Sequence, residues 1–285
     1  MGRERISLFQ LQTGPQGDLR DQYGKPFDAL QYSKYKYGER KAAKNYGYRL
    51  ADLVAASYKE LMADSSRLVV TAVPSRCIPI GADAVADAMF NRLNYHLFLQ
   101  DKEPAQRVKI TRKSIPEGDY ATLSEAERAA IMENESFSVD PLIAGSNMLV
   151  VDDISITGQS AEAIAQYLDT CGLMSAWYMY VAALNVDDAL ANPQIEAQLN
   201  HAFVENLSAL AGIIATREYI LNQRVCKFIL SYKDLDELRS FFYSVDIRFL
   251  EDLYAGIVND GLISKPIYQP VVALLTEEMR HRHLL

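Results

Sequence analysis

Residues 148–160, MLVVDDISITGQS, place two adjacent carboxylates, Asp152 and Asp153, at the end of an apolar run. A turn of small and polar residues follows, then a helical pattern. Open α/β sheets bind ligands beyond the carboxyl ends of their strands, so charge at a strand end is placed for chemistry. The turn at 154–160 leads into a helix start, where backbone N–H groups and the helix dipole favour an anion. Thr157, Gly158 and Ser160 suit a phosphate: glycine lets the backbone approach and the hydroxyls donate. Ser155 and Gln159 share the turn and complete the candidate set. The aspartates repel a phosphate, so they must face hydroxyl donors or an electropositive group. A sugar diol and a hydrated Mg2+ both meet that need. The residues therefore spell a ribose 5-phosphate site, with acids for the diol and a loop for the phosphate. Two other readings stay open: the acidic pocket of a phospho-receiver domain, and a capped helix with no ligand. A receiver carries its acids on the first strand of a much shorter chain. An idle buried pair would raise each other's pKa and lower stability.

The elements that must hold this site alternate along the chain. A helix is expected over 38–63, with Ala43, Tyr46, Leu50, Leu53, Val54, Ser57 and Leu61 near 3.6 spacing and Gly47 as a weak point. RLVVTAVP at 67–74 reads as a buried strand and PIGADAVADAMFNRL as a helix. RVKITRK at 107–113 alternates like a strand, and Ser124 with Glu127 form a capping box before a short helix. NMLVVDD is the next strand, 160–171 the next helix with Gly172 as its stop, and AWYMYVAAL at 176–184 another strand. This alternation implies an α/β fold with a mostly parallel sheet flanked by helices. CKFILS at 226–231 reads as one further strand, and three helical stretches follow from Lys233. The expected organisation is a loop-rich leader at 1–30 with one short strand, ISLFQL, a main domain at 31–231, and a C-terminal helical extension at 232–285.

MLVVDDISITGQS resembles the phosphoribosyl diphosphate (PRPP) motif of the type I phosphoribosyltransferases: an apolar strand, two acids, a short spacer, Thr-Gly, then Thr or Ser one residue later. Asp152, Asp153, Thr157, Gly158 and Ser160 match it, and Ile156 stands where a second threonine is common. Leu123, Ser124, Arg128 and Phe137 precede the motif as in the ComF-like branch, and KYKYGERKAAKNYGYRLADLV is similar to that branch's opening helix. The resemblance covers about residues 31–184. A ComF-like branch with added segments occurs in tellurium-resistance gene clusters, and the extensions of this chain are similar in that respect.

The resemblance implies a PRPP-dependent transfer of phosphoribose to a nitrogen acceptor, a nucleobase or base-like compound, with Mg2+ as cofactor held mainly by PRPP and water. It implies catalytic roles for Asp152, Asp153, Arg112 and Lys113. It implies a diphosphate loop after the earlier strand, with Ser75, Arg76 and Cys77 offering backbone N–H groups and one guanidinium. It also implies a lid at about 109–123 that shields the reacting ribose from water, with Lys109, Arg112 and Lys113 bringing positive charge. The acceptor hood falls to 1–35 or 186–225, where Tyr32, Tyr35 and Tyr37 offer rings for stacking, although core packing is the commoner fate of such residues. The helical extension is a candidate hood, dimer interface or partner surface. A PRPP- or nucleotide-binding regulator without catalysis is the alternative.

The whole composition narrows the classes. Across 285 residues, 49% are hydrophobic, 23% are charged and the net charge is −8, which argues against a general nucleic-acid binder resting on clustered Lys and Arg but leaves room for a local basic site for a small anion. Cys77, Cys171 and Cys226 are too scattered for a disulfide framework or a C-x-x-C metal site. With no signal-peptide pattern, a reducing cytoplasm is the expected setting. No apolar run reaches the roughly 18 residues that span a bilayer. His281 and His283 are two apart near the C-terminus, a poor helical metal pair.

Overall fold

The apolar run before the two aspartates forms the middle of a sheet in the computed structural model, which describes residues 3–112, 137–139, 143–156, 158–192 and 194–284. The elements of the first half are β1 (Arg3–Thr13), β2 (Leu19–Arg20), α1 (Ala29–Lys36), α2 (Arg40–Ser57), α3 (Lys59–Ala63), β3 (Leu68–Ala72), α4 (Gly81–Phe98), β4 (Gln106–Arg107), β5 (Thr111–Arg112) and β6 (Phe137–Ser138). Then come β7 (Asn147–Ser155), α5 (Gln159–Asp169), β8 (Ser175–Leu184), α6 (Val186–Ala191), α7 (Ile195–His201), α8 (Leu207–Ala215), α9 (Gln223–Leu230), α10 (Leu235–Ser244), α11 (Ile247–Asn259) and α12 (Gln269–His281).

The main sheet has the order β2-β1-β8-β7-β3-β4. All neighbours are parallel except the short β2, which pairs antiparallel with β1. Such a sheet is covered on both faces, and the sequence shows why. Successive side chains of a strand point to opposite faces, and both sets here are apolar. Val70 and Leu149 enter a core with Leu50 and Val54 of α2 and Val85 and Met89 of α4. Their neighbours Val69 and Met148 enter a second core with Ile164 and Leu168 of α5. Gly47 is where α2 and α4 touch: a Cβ there would lie 2.6 Å from the Ala88 Cβ and 2.7 Å from the Met89 nitrogen. The glycine that weakens the helix by propensity is thus the one that lets the two helices close.

Three expectations change. ISLFQL is not a short strand in a leader: β1 runs the length of β8, with Ile6 opposite Met179 and Leu11 opposite Leu184, and Ile6 and Leu11 are buried. CKFIL of CKFILS is helical, within α9, and Ser231 caps its end. Val225, Cys226, Ile229 and Leu230 are its buried face, a 3.6 period that a short apolar run conceals, and the Asn222 side chain accepts the Val225 N–H as its cap. RVKITRK is not one strand. β4 pairs with β3 at the sheet edge, and after it the chain leaves the sheet to bridge Ser75 at Thr111. β5 then pairs antiparallel with β6, Arg112 opposite Phe137. The Ser124–Glu127 capping box lies outside the described residues.

The helices after β8 build a core of their own. Val204, Leu210, Ile214, Ile229, Phe242, Leu250, Leu253 and Leu275 are buried in it. Tyr37, from the end of α1, and Ile78, from the loop after β3, also enter this core. The C-terminal region is therefore helical, as expected, and the sheet-bearing half of the chain is embedded in it at two points.

Candidate active site

β3 and β7 are parallel neighbours, and Ala72 is in register with Val151. Their carboxyl ends therefore open side by side, the position expected for a ligand crevice. A cavity of about 440 Å3 lies there. Asp152, Asp153, Ser155 and Gly158 line it from the β7 turn, Ser75 and Arg76 from the β3 turn, and Arg112 from β5. Gly158 caps α5 with a left-handed φ of 78°. A side chain there would be strained, and its Cβ would come within 3.0 Å of the Arg5 Cζ. The Arg5 guanidinium of β1 thus rests on the turn that suits a phosphate.

The two carboxylates have different surroundings. Asp153 forms an ion pair with Lys36, the last residue of α1, which is itself buried. Asp152 forms no ion pair among the described residues and accepts the Asp153 backbone N–H at 2.8 Å. Burial, and then the charge of Asp153, push the Asp152 carboxyl up to about 8. The phenols of Tyr35 and Tyr180 are held un-ionised by burial and then by these carboxylates. Tyr180 lies beside Asp152 in the sheet register. The charge of Lys36 also acts on Asp152, in the opposite direction to that of Asp153.

A family model described as PRTase ComF-like matches residues 3–275. This chain belongs to the ComF-like phosphoribosyltransferase family. Solved structures similar to it include a hypoxanthine-guanine phosphoribosyltransferase from Bacillus anthracis, 14% identical, TM-score 0.33, covering 51% of this chain and 69% of that one. A hypoxanthine phosphoribosyltransferase from Staphylococcus aureus is 13% identical, TM-score 0.35, with 51% and 74% covered. An adenine phosphoribosyltransferase is 19% identical, TM-score 0.32, with 51% and 74% covered. Among curated proteins nothing matches.

In this member of the ComF-like family, Asp152, Asp153, Ser155, Gly158, Ser75, Arg76 and Arg112 share one cavity. Gln159 and Ser160 begin α5, which places their backbone at the same turn. Thr157 and Lys113 lie outside the described residues. One expectation is corrected. The Cys77 N–H does not face the cavity: it donates to the carboxylate of Asp260 at 2.8 Å. The Lys109 ammonium donates to the Arg76 carbonyl and braces the β3 turn, while the expected lid from residue 113 onward lies outside the described residues. Of the three tyrosines, Tyr32 and Tyr35 are core residues in edge-to-face contact, and only Tyr37 lines the cavity.

Sequence reading missed Lys36, Arg5 and the far wall of the cavity. Lys36 sits in the quoted KYKYGERK segment, but its tertiary partner lies 117 residues away, beyond any local pattern. The far wall comes from α7 and α9 and the residues just after α9: Glu196, His201, Arg224, Lys227, Phe228 and Tyr232 line it. Phe228 packs edge-on against Tyr37 at 5.2 Å between ring centroids. The His201 Nδ1 lies 3.2 Å from the Val204 carbonyl and 3.1 Å from the Tyr37 hydroxyl. A carbonyl only accepts, so the Val204 contact is made when Nδ1 carries the hydrogen. Among the described residues none of 1–30 lines the cavity itself, and Arg5 lies at its rim against Gly158.

Proposed function

We propose that the protein transfers the phosphoribosyl group of PRPP to a nitrogen acceptor. The observation that carries this reading is the single cavity joining the Asp152–Asp153 turn, the Ser75–Arg76 turn and Arg112. These are the groups needed for a ribose diol, a 5-phosphate and a leaving diphosphate, and two neighbouring strands converge them. Asp153, paired with Lys36, and Asp152 accept from the ribose hydroxyls. Hydrogen bonds to Asp152 favour its charged form and bring its pKa down on binding. The turn at α5 and Arg5 take the 5-phosphate, and Arg76 and Arg112 take the diphosphate. The acceptor nitrogen forms a bond to ribose C1 as the C1–O bond breaks. The electron pair leaves with diphosphate, and the acceptor proton passes to water or to a nearby base. No protein nucleophile is needed; positioning and charge do the catalysis.

Mg2+ fits this donor set. Among the described residues no group of three His, Cys, Asp or Glu side chains forms a cage, so a bound ion would rest on PRPP, water and the outer reach of Asp152 and Asp153. When bound, it would neutralise diphosphate charge. The aromatic far wall of Tyr37, Phe228 and Tyr232 supports a flat, base-like acceptor, since rings in that position stack.

A second reading has one observation in its favour. Lys36 already occupies Asp153, as in a protein that binds PRPP or a nucleotide and signals without turnover. A diphosphate-release assay over a panel of nitrogen heterocycles separates the readings. Release that depends on the base supports the transferase. PRPP binding with no release for any base supports the regulator. Base-independent release points to hydrolysis.

A further inference from the structure

Asp260 follows α11 and is fully buried at 0% exposure. Its Oδ1 accepts two successive backbone N–H groups of the β3 turn, from Cys77 at 2.8 Å and Ile78 at 3.1 Å. Its Oδ2 has no hydrogen-bond partner among the described residues. A buried carboxylate at the C-terminal end of a helix is unfavourable twice over, by desolvation and by the dipole. Two amide donors on one oxygen offset that penalty and fix the planes of two peptide units.

The same turn is gripped elsewhere by the C-terminal helices. Ile78 is buried in the helical core beside Gly256, and the Gln223 N–H donates to the Pro79 carbonyl at 2.8 Å. On the other side, Lys109 donates to the Arg76 carbonyl. The Arg76 carbonyl and the Cys77 N–H belong to one trans peptide, so they point in opposite directions. That peptide is clamped at both ends, by Asp260 from the helical core and by Lys109 from the β4–β5 connection. Ser75 and Arg76 are left lining the cavity.

We propose that Asp260 is a positioning residue for diphosphate recognition: it holds the turn at 75–78 in the shape that aims Ser75 and Arg76 at the leaving group. The C-terminal helices are then part of the catalytic unit. The inference rests on the reading of this turn as the diphosphate site.

The test is calorimetric titration of three ligands, inorganic diphosphate, PRPP and ribose 5-phosphate, each with Mg2+, into wild type, Asp260→Ala and Asp260→Asn. Asn keeps an oxygen for the two N–H groups; Ala does not. The expected result is a loss of roughly tenfold or more for diphosphate and PRPP in Asp260→Ala, with ribose 5-phosphate unchanged. Asp260→Asn should stay within about threefold of wild type for all three. Asp260→Ser, whose shorter side chain places its oxygen out of reach of the two N–H groups, replaces the alanine variant if that does not fold. Unchanged diphosphate affinity in Asp260→Ala, or an equal loss for ribose 5-phosphate, overturns the inference while leaving the proposed function standing. A wild type that binds neither PRPP nor diphosphate overturns both.

Discussion

Asp152 should make the empty protein less stable as the pH rises, and Asp152→Asn should remove that dependence. The folded protein holds the Asp152 proton to a pKa of about 8, against an ordinary value of 3.8 in the unfolded chain. Between these values the folded state binds more protons than the unfolded state, so stability falls with rising pH. The contribution is complete below pH 3.8 and is lost once the pH passes about 8. Roughly four pH units at about 1.4 kcal/mol each set a ceiling of about 6 kcal/mol, of which about 4 falls between pH 5 and pH 8. Asp152 is only part-buried at the cavity mouth, so water screens it and about 2 kcal/mol is the working figure. Urea unfolding of wild type and Asp152→Asn at both pH values reads this directly, because other titrating groups cancel in the difference. The variant should gain on wild type by about 2 kcal/mol from pH 5 to pH 8. A difference that stays flat, or that shifts in favour of wild type, refutes the assignment of a retained proton to this site.

Other expectations follow from single contacts. Arg5→Ala should weaken ribose 5-phosphate binding about tenfold, the value of one charge-assisted hydrogen bond, and leave inorganic diphosphate affinity unchanged by calorimetry. Gly47→Ala should destabilise by about 1–3 kcal/mol in urea unfolding, because the new Cβ meets Ala88 and the Met89 nitrogen at the α2–α4 contact. Arg282 donates to the Phe242 carbonyl at 2.8 Å and the Tyr243 carbonyl at 2.9 Å at the end of α10. Arg282→Ala should therefore lower stability by about 1–2 kcal/mol without changing PRPP affinity.

Local patterns carried much of the architecture. The strands at Leu68–Ala72, Asn147–Ser155 and Ser175–Leu184 are short, continuous and apolar, which is the signature of a sheet covered on both faces. The acid pair and the glycine at 158 were legible because a strand end and a helix start are both local features. What escaped was set by distance along the chain. β1 looked like a leader because its partner strand begins at Ser175, far downstream. α9 looked like a strand because eight residues show barely two helical turns. Lys36 and Asp260 carry no local mark at all. Each is defined by a partner more than a hundred residues away, Asp153 for the first and the Cys77 amide for the second. Cys77 was placed in the right turn but its N–H was given the wrong partner, since sequence spacing does not fix which way a peptide plane faces.

The central claim is the PRPP site at Asp152 and Asp153. It is tested most directly by calorimetric titration of PRPP with Mg2+ into wild type and Asp152→Asn/Asp153→Asn, with folding of both checked by circular dichroism. Saturable binding by wild type is expected, at least about 100-fold weaker in the double variant, where two charged hydrogen-bond acceptors are gone. A folded wild type that gives no binding, or a double variant that binds as tightly as wild type, contradicts the account.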